Sequence, residues 1–325
     1  MTAVQLTTAI GSFCGIFILI LDGRTALLAA LEGINLCLKT VIPALFPFFI
    51  CSSLLMSSTL GIRMPLLQPL GRLFSLATGN EALLIPAFLG GYPVGAQCVA
   101  NAWHNGQLSR QDAQYMLSFC SNAGPSFLFG IIGHMFPQKH IPWLLWIIHI
   151  TSAWMVSRLY PTRNKPSDNI PVKTSLSQIM GMSVKTMGVV CGWIVLFRII
   201  VAFLDRWFLW VLPQDIQVLV IGLLELANGC NQLQTVTDPA VRFLLCSVIL
   251  SLGGICITLQ TISVTQGLSL KYYYQGKGLQ CLFGVLLSLA VLKKQWAFIC
   301  ILPLVIWYFS EKIKNTGSNP EKAVV

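Results

Sequence analysis

Charged residues are scarce in this chain of 325 residues. Only 10% of them are charged and 55% are hydrophobic, whereas about 25% of the residues in soluble domains are charged. A soluble domain of this size is therefore not expected. The 21 Lys and Arg residues, which leave a net charge of +10, are scattered at the ends of uncharged runs and form no single stripe. This distribution argues against a nucleic-acid-binding face and indicates contact with the anionic headgroups of a lipid bilayer.

Spacings typical of disulfide scaffolds, metal sites and hydrolytic enzymes are also missing. None of the 11 Cys residues stands at CxxC spacing from another, and the four His residues are dispersed. The chain has no HExxH, no GxSxG and no pair of intramembrane aspartates, so a hydrolase built on Ser126 with His134 or His149 lacks support. We therefore predict no enzyme activity, no metal and no cofactor, and we expect the cysteines to pack between helices.

Long uncharged runs divide the chain. A helix needs about 20 apolar residues to span a bilayer, and the runs predict about eight to ten membrane segments in an all-α polytopic membrane protein. The first run has no Lys or Arg before it, so we expect a retained helix and not a cleaved signal peptide. The predicted divisions are an N-terminal membrane helix at 1–32, a first repeat at 33–160, a polar linker at 161–174, a second repeat at 175–310 and a polar C-terminal tail at 311–325.

Two uncharged runs of 28 residues each, Ala82–Ser109 and Phe243–Leu270, lie in opposite halves of the chain and share a pattern. Each carries a Gly-Gly pair that is followed six residues later by a glutamine. Irregular backbone at membrane depth persists only where it is buried in protein or lines a water-filled cavity. We therefore predict broken or re-entrant helices that line a cavity. The residues expected at the breaks are Gly90, Gly91, Pro93 and Gly95 in the first run and Gly253 and Gly254 in the second.

Short strings recur in the same order on both sides of the predicted linker, which is the pattern of a duplication. Lys39-Thr40 matches Lys185-Thr186, Leu76-Ala77-Thr78-Gly79 matches Leu226-Ala227-Asn228-Gly229, and Leu128-Phe129-Gly130 matches Leu282-Phe283-Gly284. Their shared order predicts two pseudo-repeats, and parallel and inverted arrangements both stay open. Duplicated halves with discontinuous helices are typical of transporters, which bind substrate near the membrane midplane between the repeats.

Ionisable side chains inside the apolar runs are candidates for binding, because burying them in hydrocarbon is costly unless they face protein or water. Glu225 lies in such a run, and a continuous helix would place Asn228 on the same face. Two interpretations stay open for Glu225. It is either a ligand, ion or proton site, or a structural position as the partner of an arginine or at a helix end near the water interface. For Arg198 we predict that the side chain extends to the membrane interface.

Gln97 and Gln260 occupy equivalent places after the two glycine pairs. They either present their amides to a cavity or hydrogen-bond one helix to another. A second discontinuity is predicted at Gly124 and Pro125, because proline removes a backbone donor and glycine permits unusual backbone angles. We place the cavity between this discontinuity and the first glycine pair. The alternative is a kink that only helps the helices to pack.

These segments resemble those of a known family. The first-half strings are Leu89-Gly-Gly-Tyr-Pro-Val-Gly-Ala-Gln97, Asn105-Gly-Gln-Leu-Ser-Arg110 and Ser118-Phe-Cys-Ser-Asn-Ala-Gly-Pro125. They resemble the nucleoside-recognition (Gate) domain membrane proteins, and among these they are most similar to the YlbJ-type sporulation integral membrane proteins. The strings Gly222–Gly229 and Leu252–Gln260 resemble that family's second-half motifs, except that Ile255-Cys256 stands where small or polar residues are typical.

The resemblance implies a multi-pass protein of the bacterial cytoplasmic membrane, in the membranes around the forespore, that is connected with spore cortex formation or spore maturation. It also implies a fold like that of the concentrative nucleoside transporters, whose sites use Glu, Gln and Asn on broken helices. The residues of this chain that match as substrate- or ion-binding residues are Gln97, Asn122, Glu225, Asn228 and Gln260. Kinship at the level of fold does not establish a nucleoside as the substrate.

Two functions from different classes follow as hypotheses. The first is a transporter or gated channel for a small polar solute, nucleoside-like or other, in which Glu225 and the two glutamines bind solute or a coupling ion. The second is a non-transporting membrane scaffold for assembly of the spore envelope. The lipid bilayer is an expected partner in both cases. A transporter or channel would also bind a small polar solute or coupling ion, and a scaffold would bind other sporulation membrane proteins. No nucleic acid is expected.

Overall fold

Helices account for all the regular structure in the described part of the chain. The structure, a computed structural model, describes residues 3–59, 62, 64–160 and 175–317, and the predicted linker at 161–174 lies outside them. The α-helices, in chain order, are α1 (Ala3–Leu21), α2 (Gly23–Leu36), α3 (Ile42–Thr59), α4 (Gln68–Leu73), α5 (Leu84–Leu89), α6 (Val94–His104), α7 (Arg110–Leu117), α8 (Pro125–Gly130), α9 (Ile141–Leu159), α10 (Leu176–Trp207), α11 (Gln214–Leu224), α12 (Leu226–Gln232), α13 (Pro239–Leu252), α14 (Gly254–Val264), α15 (Lys271–Leu292) and α16 (Trp296–Gly317). A π-helical turn at Cys37–Val41 joins α2 to α3.

Four helical stretches of the described chain are long and apolar enough to cross a membrane. They are Gly23–Thr59, Leu176–Trp207, Pro239–Val264 and Lys271–Leu292. Shorter apolar helices occupy Gln5–Leu21, Pro125–His134 and Gln214–Leu224. The chain is a helical membrane protein, as its composition predicts, whereas the predicted number of membrane segments stays a prediction.

Two groups of helices flank the short and interrupted ones. In the first group α10 packs along α2 and α3, and in the second α15 packs against α9, α13 and α16. The short helices connect the groups, because α14 contacts α10 of the first group, and α11 contacts both α14 and α13 of the second group. The largest cluster of buried apolar side chains runs through this connecting region and includes Leu83, Leu117 and Ile249.

Apolar side chains cover the outside of the helices at both ends of the described chain. On α1, Ile10, Phe13 and Ile20 are each more than half exposed, and on α16 the same holds for Leu304 and Tyr308. A helix that is apolar all round is expected either in a protein core or in a membrane. We therefore assign these surfaces to contact with lipid.

Local sequence explains where several helices begin. The first turn of α10 carries a capping box, in which Ser175 and Gln178 each accept a hydrogen bond from the other's backbone N–H. Asp238 precedes α13 and accepts the Ala240 N–H at 2.7 Å, and Pro239 occupies the first helical position, where no N–H is needed. These caps satisfy backbone donors that the helices leave unpaired at their N-termini.

Some predicted divisions do not coincide with helix ends. The boundaries at 32/33 and 310/311 fall inside α2 and α16, which run through these positions. Of the matched strings, residues 226–229 begin α12, whereas residues 76–79 lie between α4 and α5 without forming a helix. The two pseudo-repeats therefore stay a prediction.

Candidate functional site

The helices are interrupted at four places in the connecting region. The interruptions lie between α5 and α6 at 90–93, between α7 and α8 at 118–124, between α11 and α12 at Glu225, and between α13 and α14 at Gly253. Three of them fall at the glycine and proline residues that predict them. No glycine or proline marks the interruption at Glu225, although a helix end is part of one of the two interpretations that the sequence leaves open for this residue. The expectation of a continuous helical face that joins Glu225 to Asn228 is wrong, because α11 ends at Leu224.

Glycine lets these interruptions approach one another. A Cβ on Gly124 would lie 2.9 Å from the nitrogen of Gly91, which has a φ of +77°, so the first two interruptions touch. A Cβ on Gly254, where φ is +80°, would lie 2.9 Å from the carbonyl oxygen of Gly222 near the end of α11. Residues with side chains at these positions would push the interruptions apart.

The other residues predicted at the breaks lie in the same region. Gly253 has a φ of +73° and separates α13 from α14. Pro125 is the first residue of α8, and Pro93 directly precedes α6. Gly90 is the first residue of the first interruption, Gly95 lies two residues after it in α6, and both are buried. A Cβ on Gly95 would lie 2.1 Å from a carbonyl oxygen of the segment 118–124, so this contact also requires glycine.

A cavity of about 280 Å³ opens between the interruptions. Apolar residues of α2, α3, α8 and α10 form much of its wall, and the polar side chains on it are those of Thr40, Tyr92, Ser126, Glu225 and Gln260. Thr40, which lies in the π-helical turn, and Ser126 are both exposed, so the cavity opens to the surface at that end. Glu225 is the only charged residue among the lining residues in the described part of the chain.

Glu225 is held in place by the helix that it begins. Its side chain is 3% exposed, and its two carboxylate oxygens accept the N–H groups of Ala227 at 3.0 Å and Asn228 at 2.7 Å. These hydrogen bonds cap α12, and the positive end of the helix dipole favours the negative charge. A carboxylate can accept about four hydrogen bonds, so Glu225 keeps capacity to bind a donor in the cavity.

The predicted site residues are divided between the cavity wall and its surroundings. Glu225, Gln260, Gly91 and Gly124 line the cavity. Gln260 is buried on α14 and donates a hydrogen bond to the sulfur of Cys256, one turn earlier, at 3.3 Å. The geometry thus brings one carboxylate, one amide and the touching glycines of two interruptions to a single space.

Gln97, Asn122 and Asn228 are buried away from the cavity wall. Gln97 on α6 donates to the hydroxyl of Thr186 on α10 at 2.7 Å, which is the helix-to-helix hydrogen bond that the sequence allows as the alternative. Asn122 donates to the Phe119 carbonyl at 2.7 Å and so shapes the second interruption. These side chains bind neighbouring helices and backbone and do not line the cavity.

Arg198 on α10 links the cavity region to α2. Its guanidinium forms an ion pair with Glu32 and donates to the side-chain oxygen of Asn228. The backbone N–H of Asn228 is in turn capped by Glu225. An arginine therefore contributes to the placement of Glu225, but it does so through Asn228.

Sequence reasoning missed a buried lysine. Lys277 on α15 is 5% exposed and donates to the hydroxyl of Tyr92 at 3.2 Å, to the Ser121 carbonyl at 2.5 Å and to the Gln280 amide oxygen at 3.1 Å. The polar stretch before residue 279 resembles a loop, which conceals the fact that α15 begins at Lys271. Gly276, directly before Lys277, is the signal that could have indicated close helix packing.

The described residues contain no group of three or more His, Cys, Asp or Glu side chains that could hold a metal ion. The predictions of no metal and no cofactor stay predictions. The chemistry that this arrangement can supply is binding, through a carboxylate, amides and backbone groups at helix ends.

Comparison with known proteins shows a similarity to a membrane protein of sporulation. The chain is 31% identical over 116 residues to the sporulation integral membrane protein YlbJ of Bacillus subtilis (strain 168). The match covers 34% of this chain and 28% of the relative, so the chain spans less than a third of the length of the relative that it matches. No family model and no solved structure matches the chain. The similarity supports the resemblance to YlbJ-type proteins, whereas the nucleoside-recognition domain stays a prediction.

Proposed function

We propose that this protein is a transporter or gated channel that moves a small polar solute across a membrane. The observation that carries the proposal is the meeting of three helix interruptions at one cavity that holds a buried carboxylate, Glu225, while the fourth interruption, at Gly253, lies against Tyr92 of the cavity wall. Discontinuous helices at membrane depth typically present backbone groups and side chains to a substrate or ion. The cavity opens to the surface beside Ser126, which gives a solute a route to Glu225.

The cavity favours a solute with hydrogen-bond donors and an apolar part. Glu225 is an acceptor in its ionised form, and much of the remaining wall, such as Val190, Ile194 and Phe127, is apolar. The cavity volume of about 280 Å³ is several times the volume that one water molecule occupies in the liquid, about 30 Å³. A nucleoside-like molecule or a small amine has this combination of donors and apolar surface.

The similarity to a sporulation integral membrane protein supports a place for this function in spore formation. We propose that the protein acts in the membranes around the developing spore, in cortex formation or spore maturation. Expression of the chain in a Bacillus subtilis strain that lacks YlbJ should restore the yield of heat-resistant spores. Glu225→Gln should not restore it, because the substitution removes the charge of the cavity.

Reconstitution in liposomes tests transport directly. Uridine and methylammonium are suitable probes, since one is a nucleoside and the other a small cation. We expect uptake of at least one probe above that of empty liposomes, and a loss of most of this uptake in Glu225→Gln. Asp238→Asn is the matched control, because it removes the charge of an exposed helix cap outside the cavity.

The rival function, a membrane scaffold for spore-envelope assembly, makes opposite predictions. Spore yield would then tolerate Glu225→Gln, and no probe would cross the membrane. Substitutions on the lipid-facing surface of α1 or α16 would abolish spore formation, and a stable membrane partner would copurify with the chain. This combination of results would replace transport by assembly as the function.

A further inference from the structure

A buried ammonium group lies directly behind the inner wall of the cavity. The oxygen atoms around the Lys277 nitrogen come from three elements: the Tyr92 hydroxyl in the first interruption, the Ser121 carbonyl in the second, and the Gln280 amide on α15. The nitrogen also lies 4.8 Å from the centre of the Tyr92 ring, within the range of a cation–π interaction. Lys277 thus joins both first-half interruptions to α15.

The surroundings of this ammonium are neutral. In the described part of the chain no carboxylate forms an ion pair with Lys277. An unpaired charge in a membrane interior is costly and usually marks a functional position. Here neutral oxygens replace the water that the ammonium loses, and three of them match its three N–H donors.

The neighbouring amides are oriented by the positive charge. Gln280 turns its oxygen to Lys277 and donates from its nitrogen to the Asn122 side-chain oxygen at 2.9 Å and to the His149 carbonyl at 3.3 Å. Asn122 donates in turn to the backbone carbonyls of Ala87, on α5 just before the first interruption, and of Phe119 in the second interruption. Gln280 therefore presents its oxygen to the ammonium, and its nitrogen donates to the Asn122 side chain.

We propose that this oxygen-lined position is an internal site for a monovalent cation, which the chain fills with its own Lys277 ammonium. The cation holds Tyr92 and the segment 118–124 against α15, and Tyr92 and Ala123 form part of the cavity wall. The positive charge, and not only the volume of the lysine side chain, keeps the two interruptions together. This inference does not depend on which solute enters the cavity.

Chemical replacement of the side chain tests the site in the full chain. Lys277→Ala removes the three outer carbons and the nitrogen, which together have the shape of propylammonium. We expect propylammonium to raise the melting temperature of purified Lys277→Ala by several degrees, and 1-propanol, a neutral molecule of similar shape, to leave it unchanged. Wild type and Lys271→Ala should respond to neither, because Lys271 is an exposed residue on the same helix. No stabilisation of Lys277→Ala by propylammonium would overturn the proposal.

A second measurement covers the case in which Lys277→Ala does not fold. Lys277→Met keeps most of the volume and removes the charge, so it should melt well below wild type. Tyr92→Phe should lower the melting temperature more in wild type than in Lys277→Met, because in Lys277→Met the Tyr92 hydroxyl has no ammonium to bind. A Lys277→Met protein as stable as wild type, or equal effects of Tyr92→Phe in both backgrounds, would show that the charge is not needed.

Discussion

Glu225 ends one helix, begins the next and supplies the charge of the cavity. Its φ of −144° and ψ of 117° take it out of the helical region, so the chain turns there without a glycine or proline. The two N–H groups at the start of α12 bind both carboxylate oxygens. The cap and the charge of the cavity thus depend on the same side chain.

The cap can be separated from the charge by two substitutions. Glu225→Ala should lower the free energy of unfolding by about 1 kcal/mol more than Glu225→Gln, because the glutamine oxygen can still accept a backbone N–H and alanine cannot. Chemical or thermal unfolding in detergent measures the difference. Asp238→Ala should cause a similar loss through its own cap while solute binding stays normal. Equal stability of the two Glu225 variants would contradict a capping role.

Arg198 should act as a positioning residue for Glu225 through Asn228. Removal of either partner, in Arg198→Gln or Asn228→Ala, should weaken solute binding, and a double-mutant cycle should show a coupling of about 1 kcal/mol in stability. Arg206→Gln is the control. Arg206 also lies on α10, but it pairs with Asp22 just before α2 and does not contact Asn228. Additive effects of the first two substitutions would contradict the link.

At the scale of helices, close approach at glycine explains how the broken segments are held. Gly276 on α15 lies against the backbone of Ser118, where a Cβ would be only 1.9 Å from the carbonyl oxygen. At Gly278, two residues later, a Cβ would enter open space, with no neighbouring atom of the described chain within 4 Å. Lys277 lies between these two glycines, and its side chain reaches the interruptions because α15 packs directly against the segment 118–124.

This contrast gives a prediction on a single helix. Gly276→Ala should destabilise the protein by about 1–3 kcal/mol, because α15 must move away from the segment 118–124. Gly278→Ala should be neutral or stabilising by up to about 1 kcal/mol, because alanine favours the helix. Melting temperatures of the two variants in detergent compare them directly. Similar losses in both would mean that helix propensity, and not the close contact, explains the effect.

The sequence predicts the interruptions that glycine or proline marks and misses the one that a side-chain cap stabilises. Glycine pairs and the Gly124-Pro125 step disturb a helix wherever they occur, so these breaks can be predicted from the chain. The break at Glu225 lies between leucines and is stabilised by its own capping hydrogen bonds, which no simple pattern indicates. The burial of Lys277 depends on residues about 150 or more positions earlier in the chain.

At the scale of the whole molecule, apolar surfaces face outwards and polar groups gather in the connecting region. This arrangement predicts the behaviour of the exposed cysteines Cys14, Cys51 and Cys300 on α1, α3 and α16. In lipid vesicles they should react with a lipophilic maleimide and resist a charged, membrane-impermeant thiol reagent, because thiols surrounded by lipid are shielded from water. Rapid reaction with the charged reagent would place these helices in water.

The proposed transport requires a water-accessible cavity that presents the negative charge of Glu225 to polar solutes. Ala227→Cys, prepared with Cys14, Cys51 and Cys300 replaced by serine, places a thiol on the cavity wall next to this carboxylate. In vesicles, a cationic methanethiosulfonate should modify this thiol several-fold faster than an anionic one, and Glu225→Gln should abolish the preference. Reaction only with lipophilic reagents would contradict a water-accessible cavity. A preference that Glu225→Gln leaves unchanged would contradict the role of the Glu225 charge.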